Sequence, residues 1–327
     1  MSELEEKVRA SIERIKVYSR LDDKGYYLAF SGGKDSVVCK ALLEMAGVKY
    51  DGHYRVTSVD PPELVQFIRE KHPDIDREIP RYDEDFRYPN LAGKPITMWN
   101  LIPMMLMPPT RRERYCCKWL KESGGDGRMT VTGVRWAESA NRKRNQGPVT
   151  IIGKKAGNEL CDDVNFAPTD RHGVVLVNDN EESRRTIEQC YQRMKTTVNP
   201  IIDWTDAEVW EFIKAERIPY CGLYDCGFSR LGCIGCPMAS QHGREKEFLR
   251  YPKYKAAYLR AFRAMLKERK RRGRLWKMGG ATIADATEND VFNWWMEYNI
   301  LPAQMDLFDM EEDGVDSGTY WSNLEEP

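Results

Sequence analysis

Residues 26–36 read YYLAFSGGKDS, and this stretch decides the fold of the chain. Its first five residues are aromatic or apolar, as in a short buried strand, and they run into a glycine pair that is typical of a turn. Apolar residues at three- and four-residue spacing follow from Val37 to Met45, and Gly47 then marks a helix end. The stretch predicts a strand, a tight turn and a helix in direct succession.

The same alternation continues outward from this stretch. Residues 53–59 are predicted to form the next strand and residues 63–71 the next helix. Later strands are expected at 129–134 and 198–202, and Thr205 begins a capping box ahead of a further helix. Because strands that alternate with helices pair in parallel through right-handed crossovers, we predict an α/β fold with a doubly wound, Rossmann-like parallel sheet.

The composition excludes some classes of protein. Fifty Lys and Arg against 51 Asp and Glu give a net charge of -1, which excludes a uniformly basic nucleic-acid coat protein. A hydrophobic share of 41% permits a large core. A mean hydropathy of -0.63 and the lack of a long apolar stretch predict no contact with a membrane. The charged first helix lacks the apolar centre of a secretion signal, so we expect a cytoplasmic protein with reduced cysteines.

Two parts are predicted along the chain. Residues 1–245 are predicted to form one large α/β domain, and residues 246–327 a helical extension that ends in an acidic tail from Asp306. Between about 145 and 197 the pattern weakens into short β-like pieces and a polar helix, which we interpret as a β-containing insertion.

The strand-to-helix junction is suited to a phosphate. Free N–H groups and the helix dipole meet there, glycines permit close backbone approach, and hydroxyls and a lysine add donors and charge. The residues concerned are Ser31, Gly32, Gly33, Lys34, Asp35 and Ser36. The spacing is not that of a Walker A loop, so a P-loop kinase or GTPase is not indicated. An ordinary glycine turn is the plainer alternative.

This loop resembles that of the N-type ATP pyrophosphatase superfamily, whose fold is adenine nucleotide α-hydrolase-like. Within that superfamily the chain resembles the phosphoadenylyl-sulfate (PAPS) reductase-like family through three further blocks, TGVRWAESANR at 132–142, NPIIDWTDAEVW at 199–210 and GFSRLGCIGCP at 227–237. The resemblance covers roughly residues 25 to 240. It implies an adenine nucleotide bound at the carboxyl ends of the parallel strands.

The resemblance also implies roles for individual residues. The loop binds the phosphates or sulfate of ATP, or of PAPS or adenylyl sulfate, and Asp60 binds Mg²⁺ when ATP is the ligand. Gly133, Arg135 and Arg142 belong to an anion-binding block whose arginines suit forked contacts with phosphate. A surface ion pair is the plainer alternative for Arg135. The residues expected to act in catalysis are Lys34, Asp35, Asp60 and Arg135.

The nine cysteines include two compact groups. The adjacent pair Cys116-Cys117 and the motif Cys233-x-x-Cys236 reproduce the pattern by which cluster-bearing sulfonucleotide reductases hold a 4Fe-4S cluster. Zn²⁺ is the alternative metal, with an all-thiolate site formed by Cys221, Cys226, Cys233 and Cys236. Buried thiols without a metal are the third interpretation.

The resemblance to true reductases stops at their nucleophile. Those enzymes attack sulfur with a cysteine in a Glu-Cys-Gly-Leu/Ile-His type motif near the C-terminus, whereas no cysteine follows Cys236 here. Cys161 and Cys190 in the insertion are the substitutes available. We therefore favour ATP pyrophosphatase chemistry, in which adenylylation is coupled to sulfur transfer from a sulfur donor. The DNA phosphorothioation sulfurtransferase is the closest functional analogue. A sulfonucleotide reductase with a redox protein as partner, and a non-catalytic nucleotide- or nucleic-acid-binding module, are the alternatives.

Three basic segments are candidate contacts for a nucleic-acid backbone, at residues 111–114, 142–144 and 267–274. A solvated charged surface is the alternative interpretation for each segment.

Overall fold

The computed structural model describes residues 2–122, 124–125, 127–152, 164–169, 173–177, 187, 195–278 and 281–298. Cys161, Cys190, most of the polar helix expected in the insertion, and the acidic tail from Asp306 lie outside these residues.

The chain groups into two compact units. The first unit comprises Met1–Val56, Pro61–Glu78 and Ser123–Gly232, and the second comprises Thr57–Asp60, Ile79–Glu122 and Cys233–Pro327. Each unit has its own buried apolar core. Both units combine segments that are distant in sequence, and the linear division at residue 245 stays a prediction.

An eight-stranded sheet forms the centre of the first unit. Its strands in chain order are β1 Tyr26–Ala29, β2 Tyr50–Arg55, β3 Ile75–Glu78, β4 Thr130–Val131, β5 Val149–Ile152, β6 Phe166–Pro168, β7 Gly173–Leu176 and β8 Lys195–Val198. Their spatial order is β3-β2-β1-β4-β8-β5-β7-β6. The first five strands in this spatial order are parallel. The three strands of the insertion extend the sheet beyond β8 by antiparallel pairing, β5 with β8, β7 with β5 and β6 with β7. Since strands are added on both sides of β1, the predicted doubly wound α/β fold is confirmed.

Ten helices lie in the described ranges of the two units. They are α1 Glu3–Ser19, α2 Lys34–Ala46, α3 Pro62–Lys71, α4 Met98–Met105, α5 Tyr115–Leu120, α6 Ala140–Asn145, α7 Asp206–Ala215, α8 Gln241–Arg250, α9 Pro252–Arg271 and α10 Glu288–Trp295. The predicted C-terminal helices are thus present, together with a hairpin of β9 Trp276–Met278 and β10 Ala281–Ile283. No described helix is both long enough and apolar enough to cross a bilayer.

Helix α2 is held against the sheet by its apolar face. Val38, Leu42 and Leu43 are fully buried in the first core, and full burial of such a side chain contributes about 1.5–3 kcal/mol. The helix ends at Gly47, whose φ of 65° is the left-handed conformation that glycine adopts without strain. This packing fixes the start of α2 directly after β1.

The second strand differs from its prediction. It runs from Tyr50 to Arg55, three residues earlier than expected. Residues 56–59 are apolar enough to suggest a strand, but Ser58 has a φ of 65°, and the Thr57 N–H donates to Asp60 Oδ2 at 3.0 Å. This local turn, which an alternating pattern does not reveal, ends the strand early.

His72 gives the first unit a pH-dependent stability. Its imidazole packs between Phe30 and Phe67 at centroid distances of 4.9 and 5.1 Å, and neither ring nitrogen has a hydrogen-bond partner among the described residues. Burial, with a smaller effect of Lys40, lowers the pKa of His72 to about 4.

Because the folded pKa lies below the ordinary 6.5, this contribution to stability is complete above pH 6.5 and is lost as pH falls toward 4. We expect the free energy of unfolding of the wild type to fall by up to about 3 kcal/mol over that range relative to His72→Leu. Urea denaturation at several pH values measures it. His242, whose side chain is 93% exposed, gives the matched control His242→Leu, and equal pH profiles for both variants would contradict the prediction.

Candidate functional sites

The predicted phosphate loop lies between β1 and α2. Gly32 has a φ of 72°, and a Cβ atom there would stand 2.7 Å from Leu64 and 2.8 Å from Ile68 of α3. The Gly33 N–H donates to Ser31 Oγ at 3.4 Å, and Ser36 Oγ donates to the Gly33 carbonyl at 2.9 Å. The structure therefore brings the loop residues together in a tight turn at the start of a 13-residue helix.

Lys34 is turned inward within the first unit. Its side chain is 7% exposed, and Nζ lies 3.4 Å from Asp206 Oδ1 and 3.8 Å from Asp35 Oδ2. Its backbone N–H donates to the Tyr224 hydroxyl at 2.8 Å. One of the helix-start N–H groups that a phosphate would use is thus already paired with a tyrosine.

Arg135 connects the loop to α7. The residue is 1% exposed. Its Nε donates to Asp35 Oδ1 at 2.6 Å, its Nη2 to Asp206 Oδ1 at 2.6 Å and its Nη1 to the Trp204 carbonyl at 3.2 Å. The bonds to Asp206 and the Trp204 carbonyl fix the guanidinium, which in turn holds the Asp35 carboxylate through Nε. A direct contact of Arg135 with a nucleotide stays a prediction.

Gly133 and Arg142 flank this network. A Cβ atom on Gly133 would stand 2.9 Å from Asp35 Cβ, so the glycine lets β4 approach the loop closely. Arg142 lies on α6, is 41% exposed and pairs with Glu138 at 2.8 Å. Both residues lie in the first unit with the loop, and their roles toward an anion stay predictions.

All four predicted cluster ligands lie in the second unit. Cys116 and Cys117 occupy the first turn of α5, and Cys233 and Cys236 bracket a turn whose Gly235 has a φ of 72°. That turn is fixed at both of its inner residues. The Gly235 N–H donates to Glu247 at 2.7 Å, and the Ile234 carbonyl accepts from the Tyr258 hydroxyl at 2.9 Å.

The four thiols influence one another electrostatically. The Cys116 thiol donates to Cys117 and, together with Arg114, lowers the pKa of Cys117 to about 6. The pKa of Cys116 is raised by the same hydrogen bond and by burial, with further effects of Cys233 and Cys236. The charge of Cys233 raises the pKa of Lys121. The two cysteine groups are therefore close neighbours.

The structure does not arrange these thiols around one ion. Within the described ranges, no group of three or more His, Cys, Asp or Glu could hold a metal ion. For the zinc alternative, Cys221 is buried and Cys226 is exposed in the first unit, whereas Cys233 and Cys236 belong to the second.

Asp60 also lies in the second unit and is 5% exposed. Its Oδ2 accepts from the Thr57 N–H at 3.0 Å, and its carbonyl accepts from the Tyr254 hydroxyl at 2.9 Å. The carboxylate is held in one orientation by its own turn. A role in binding Mg²⁺ stays a prediction.

Three residues at these sites, Tyr224, Asp206 and Lys121, were not among the predicted site residues. Asp206 lies inside the block at 199–210, and Tyr224 lies three residues before the block at 227–237. The resemblance assigned no role to either position. Lys121 lies four residues after Cys117, and that spacing on a short helix was the only available signal.

The strand order and the loop at the end of β1 define the class of this protein, a Rossmann-like α/β protein with a nucleotide-binding fold. The model of the phosphoadenosine phosphosulfate reductase domain matches residues 25–239, more than half of the chain. The chain belongs to this family, and the predicted PAPS reductase-like membership is confirmed.

Similar proteins include the uncharacterized protein MJ0066 of Methanocaldococcus jannaschii, 23% identical over 256 residues, which are 75% of this chain and 42% of that protein. The adenosine 5'-phosphosulfate reductase of Allochromatium vinosum is 40% identical over 48 residues, 15% of this chain and 19% of that enzyme. The chain thus spans less than half the length of these relatives.

Two solved structures are also similar. The PAPS reductase of Candida auris in a phosphate complex is 14% identical, with a TM-score of 0.38 over 71% of this chain and 96% of that one. The FMN adenylyltransferase of Candida glabrata in complex with ATP is 14% identical, with a TM-score of 0.39 over 71% and 62% of the two chains.

Proposed function

We propose that this protein is an adenine-nucleotide-dependent enzyme that cleaves ATP between its α- and β-phosphates and couples this adenylylation to sulfur transfer onto nucleic acid. An acceptor oxygen attacks the α-phosphorus and pyrophosphate leaves. A sulfide-level donor then displaces AMP from the adenylylated acceptor, so no net oxidation is required. The observation that carries the proposal is the glycine turn at the start of α2, with its buried Lys34.

Each residue of the loop has a part in this chemistry. The backbone N–H groups of Gly32 and Gly33 face the phosphates at the positive end of α2, where fixed donors stabilise developing negative charge. Lys34 exchanges its carboxylate neighbours for a phosphate oxygen. Asp35, held by Arg135, orients the loop, and Mg²⁺ accompanies the ATP.

We also propose that Cys116, Cys117, Cys233 and Cys236 hold a 4Fe-4S cluster. Four neighbouring thiols are the donor set of such a cluster. Each of the four cysteines would supply one thiolate to the cluster, a donor set that does not require three or more side chains around a single ion. When bound, the cluster supplies a site that holds or activates sulfur.

Nucleotide turnover tests the proposal. With ATP, Mg²⁺, sulfide and a nucleic-acid duplex, we expect the wild type to release AMP and pyrophosphate, measured by chromatography of α-labelled ATP. Ser31→Ala should reduce the rate by about 10²-fold, as the loss of one phosphate-binding donor typically does. Ser31→Ala combined with Asp35→Ala should abolish turnover.

The matched control is Ser19→Ala with Asp23→Ala, which removes the same two side-chain types away from the loop. Release of ADP and phosphate, or full activity in Ser31→Ala, would contradict the proposal. The single variant is needed because Asp35 also pairs with Arg135, so its loss affects folding as well.

Sulfonucleotide reduction is the second candidate, because a 48-residue match links this chain to an adenosine 5'-phosphosulfate reductase. Release of sulfite from adenylyl sulfate or PAPS with thioredoxin, without AMP and pyrophosphate from ATP, would replace the first proposal. Nucleotide binding without any turnover would indicate a non-catalytic module.

A further inference from the structure

The longest described helix, α9, is strongly basic. Its 20 residues include eight Lys and Arg and one Glu, although the whole chain has a net charge of -1. The excess charge is therefore local, and it belongs to one straight element of the second unit. About 1.5 Å of rise per residue gives this helix a length of roughly 30 Å.

The inward face of α9 is fully used by the second core. Tyr258, Phe262 and Met265 are at most 1% exposed. The buried Arg269 donates to the Leu106 carbonyl at 2.8 Å and to the Leu275 carbonyl at 2.9 Å. This face has no apolar surface left for a membrane or for a second helix.

The outward face carries a row of exposed cations. Lys253, Arg260 and Lys267 follow at seven-residue spacing, which keeps them on one side of the helix about 10 Å apart. Lys270 in the last turn of α9 and Arg274 just past its end continue the row. We name these five residues the α9 cation row.

The nearby carboxylates leave this row unneutralised. Glu268 pairs with Arg271 and Arg272, and Glu288 pairs with Arg263. Among the residues that the structure describes, no carboxylate forms an ion pair with any member of the α9 cation row. Within the described residues, the charges of these five exposed cations are therefore not used in ion pairs.

We propose that the α9 cation row binds the phosphate backbone of double-stranded nucleic acid, which would make a duplex the sulfur acceptor. This inference rests on the proposed function. The row spans about 21 Å from Lys253 to Lys267 on a rigid helix, and a rigid duplex presents one phosphate per strand for about every 3.4 Å of its axis, so several cations of the row can face phosphates at once. Single-strand sites use aromatic stacking, whereas the aromatic side chains of α9 are buried or half-buried.

Salt-dependent binding to a 25-base-pair DNA duplex tests the inference by fluorescence anisotropy. Five phosphate contacts predict a slope of log K against log salt of about -4.5. The variant Arg260→Gln/Lys267→Gln/Lys270→Gln should reduce the magnitude of that slope by about 3 and weaken binding about 100-fold at 0.1 M salt. The matched control Lys71→Gln/Arg77→Gln/Lys214→Gln changes the charge equally at exposed sites of the first unit and should bind like the wild type.

An unchanged slope in the row variant, or equal losses in both variants, would overturn the inference. Tighter binding to the single strand, or equal binding to phosphatidylserine vesicles with the same dependence on the row, would also overturn it. The same titration with an RNA duplex of equal length decides between DNA and RNA, and preference for either duplex supports the inference.

The same preparations separate this inference from the proposed function. If both hold, the row variant keeps the slow hydrolysis of ATP to AMP and pyrophosphate in which water replaces the nucleic-acid acceptor, and Ser31→Ala keeps duplex binding. Duplex binding by the row without any ATP cleavage would remove the proposed function and leave the surface. ATP cleavage without duplex binding would overturn the inference about the α9 cation row and leave the proposed ATP chemistry.

Discussion

Arg135→Ala is expected to lower the free energy of unfolding by about 3 kcal/mol. The guanidinium is buried, and its loss leaves the Asp35 and Asp206 carboxylates and the Trp204 carbonyl without their donor. Breaking a buried pair by removal of one partner typically costs about 3–5 kcal/mol. We take the lower end because the Asp206 side chain is 62% exposed. Urea denaturation followed by circular dichroism measures the change.

Arg142→Ala is the matched control for this variant. It removes the same side chain from the same motif block, but its ion pair with Glu138 joins two solvent-accessible residues four positions apart, which is worth about 0.5 kcal/mol or less. Similar stabilities for the two variants would show that Arg135 does not hold the loop. Its charge would then be left for a ligand, as the resemblance to the family implies.

Gly235→Ala is expected to destabilise the second unit by about 3 kcal/mol and to lower the iron bound per chain. Its φ of 72° disfavours a side chain, and an added Cβ would stand 2.7 Å from Phe248, 3.0 Å from Trp295 and 3.1 Å from Tyr258. The backbone cost is about 1 kcal/mol, and overpacking adds about 1–3 kcal/mol. Because Cys233 and Cys236 flank this glycine, a shifted turn moves two proposed ligands.

Gly273→Ala separates the two causes. Gly273 has a φ of 70°, and an added Cβ would meet no atom within 4 Å, so this control carries the backbone cost alone. Thermal unfolding and iron analysis after anaerobic reconstitution measure both effects. Equal stability and iron content in the two variants would contradict the packing argument. A wild type that binds no iron would remove the cluster proposal and leave the stability difference intact.

Local sequence patterns predicted much of this fold, but they could not predict which residues distant in sequence contact each other. The strand, turn and helix around Ser31 could be predicted because each depends on neighbouring residues. The partners of the loop could not, since Asp35 lies 100 residues from Arg135 and Lys34 lies 190 residues from Tyr224. Only the folded sheet brings these residues together.

Errors in the predicted elements have similar causes. The edge strand β3 was missed because its sequence, IDRE, has one fully buried residue and no apolar alternation. Helix α4 was also not predicted. Its capping box, formed by Thr97 and Asn100, is visible in the sequence but lies in a stretch rich in proline and turns. The cysteine groups could be recognised by spacing, whereas their mutual approach depends on α5 and a turn more than a hundred residues later.

The insertion also changes how the sheet ends. Without its three antiparallel strands, the parallel strand β8 would be the last in the row, with a full set of unpaired backbone groups. The outermost strand is instead β6, which has three residues and ends in Pro168. A short edge that contains a residue without an N–H is a poor template for another chain. The insertion therefore protects this side of the sheet against edge-to-edge aggregation.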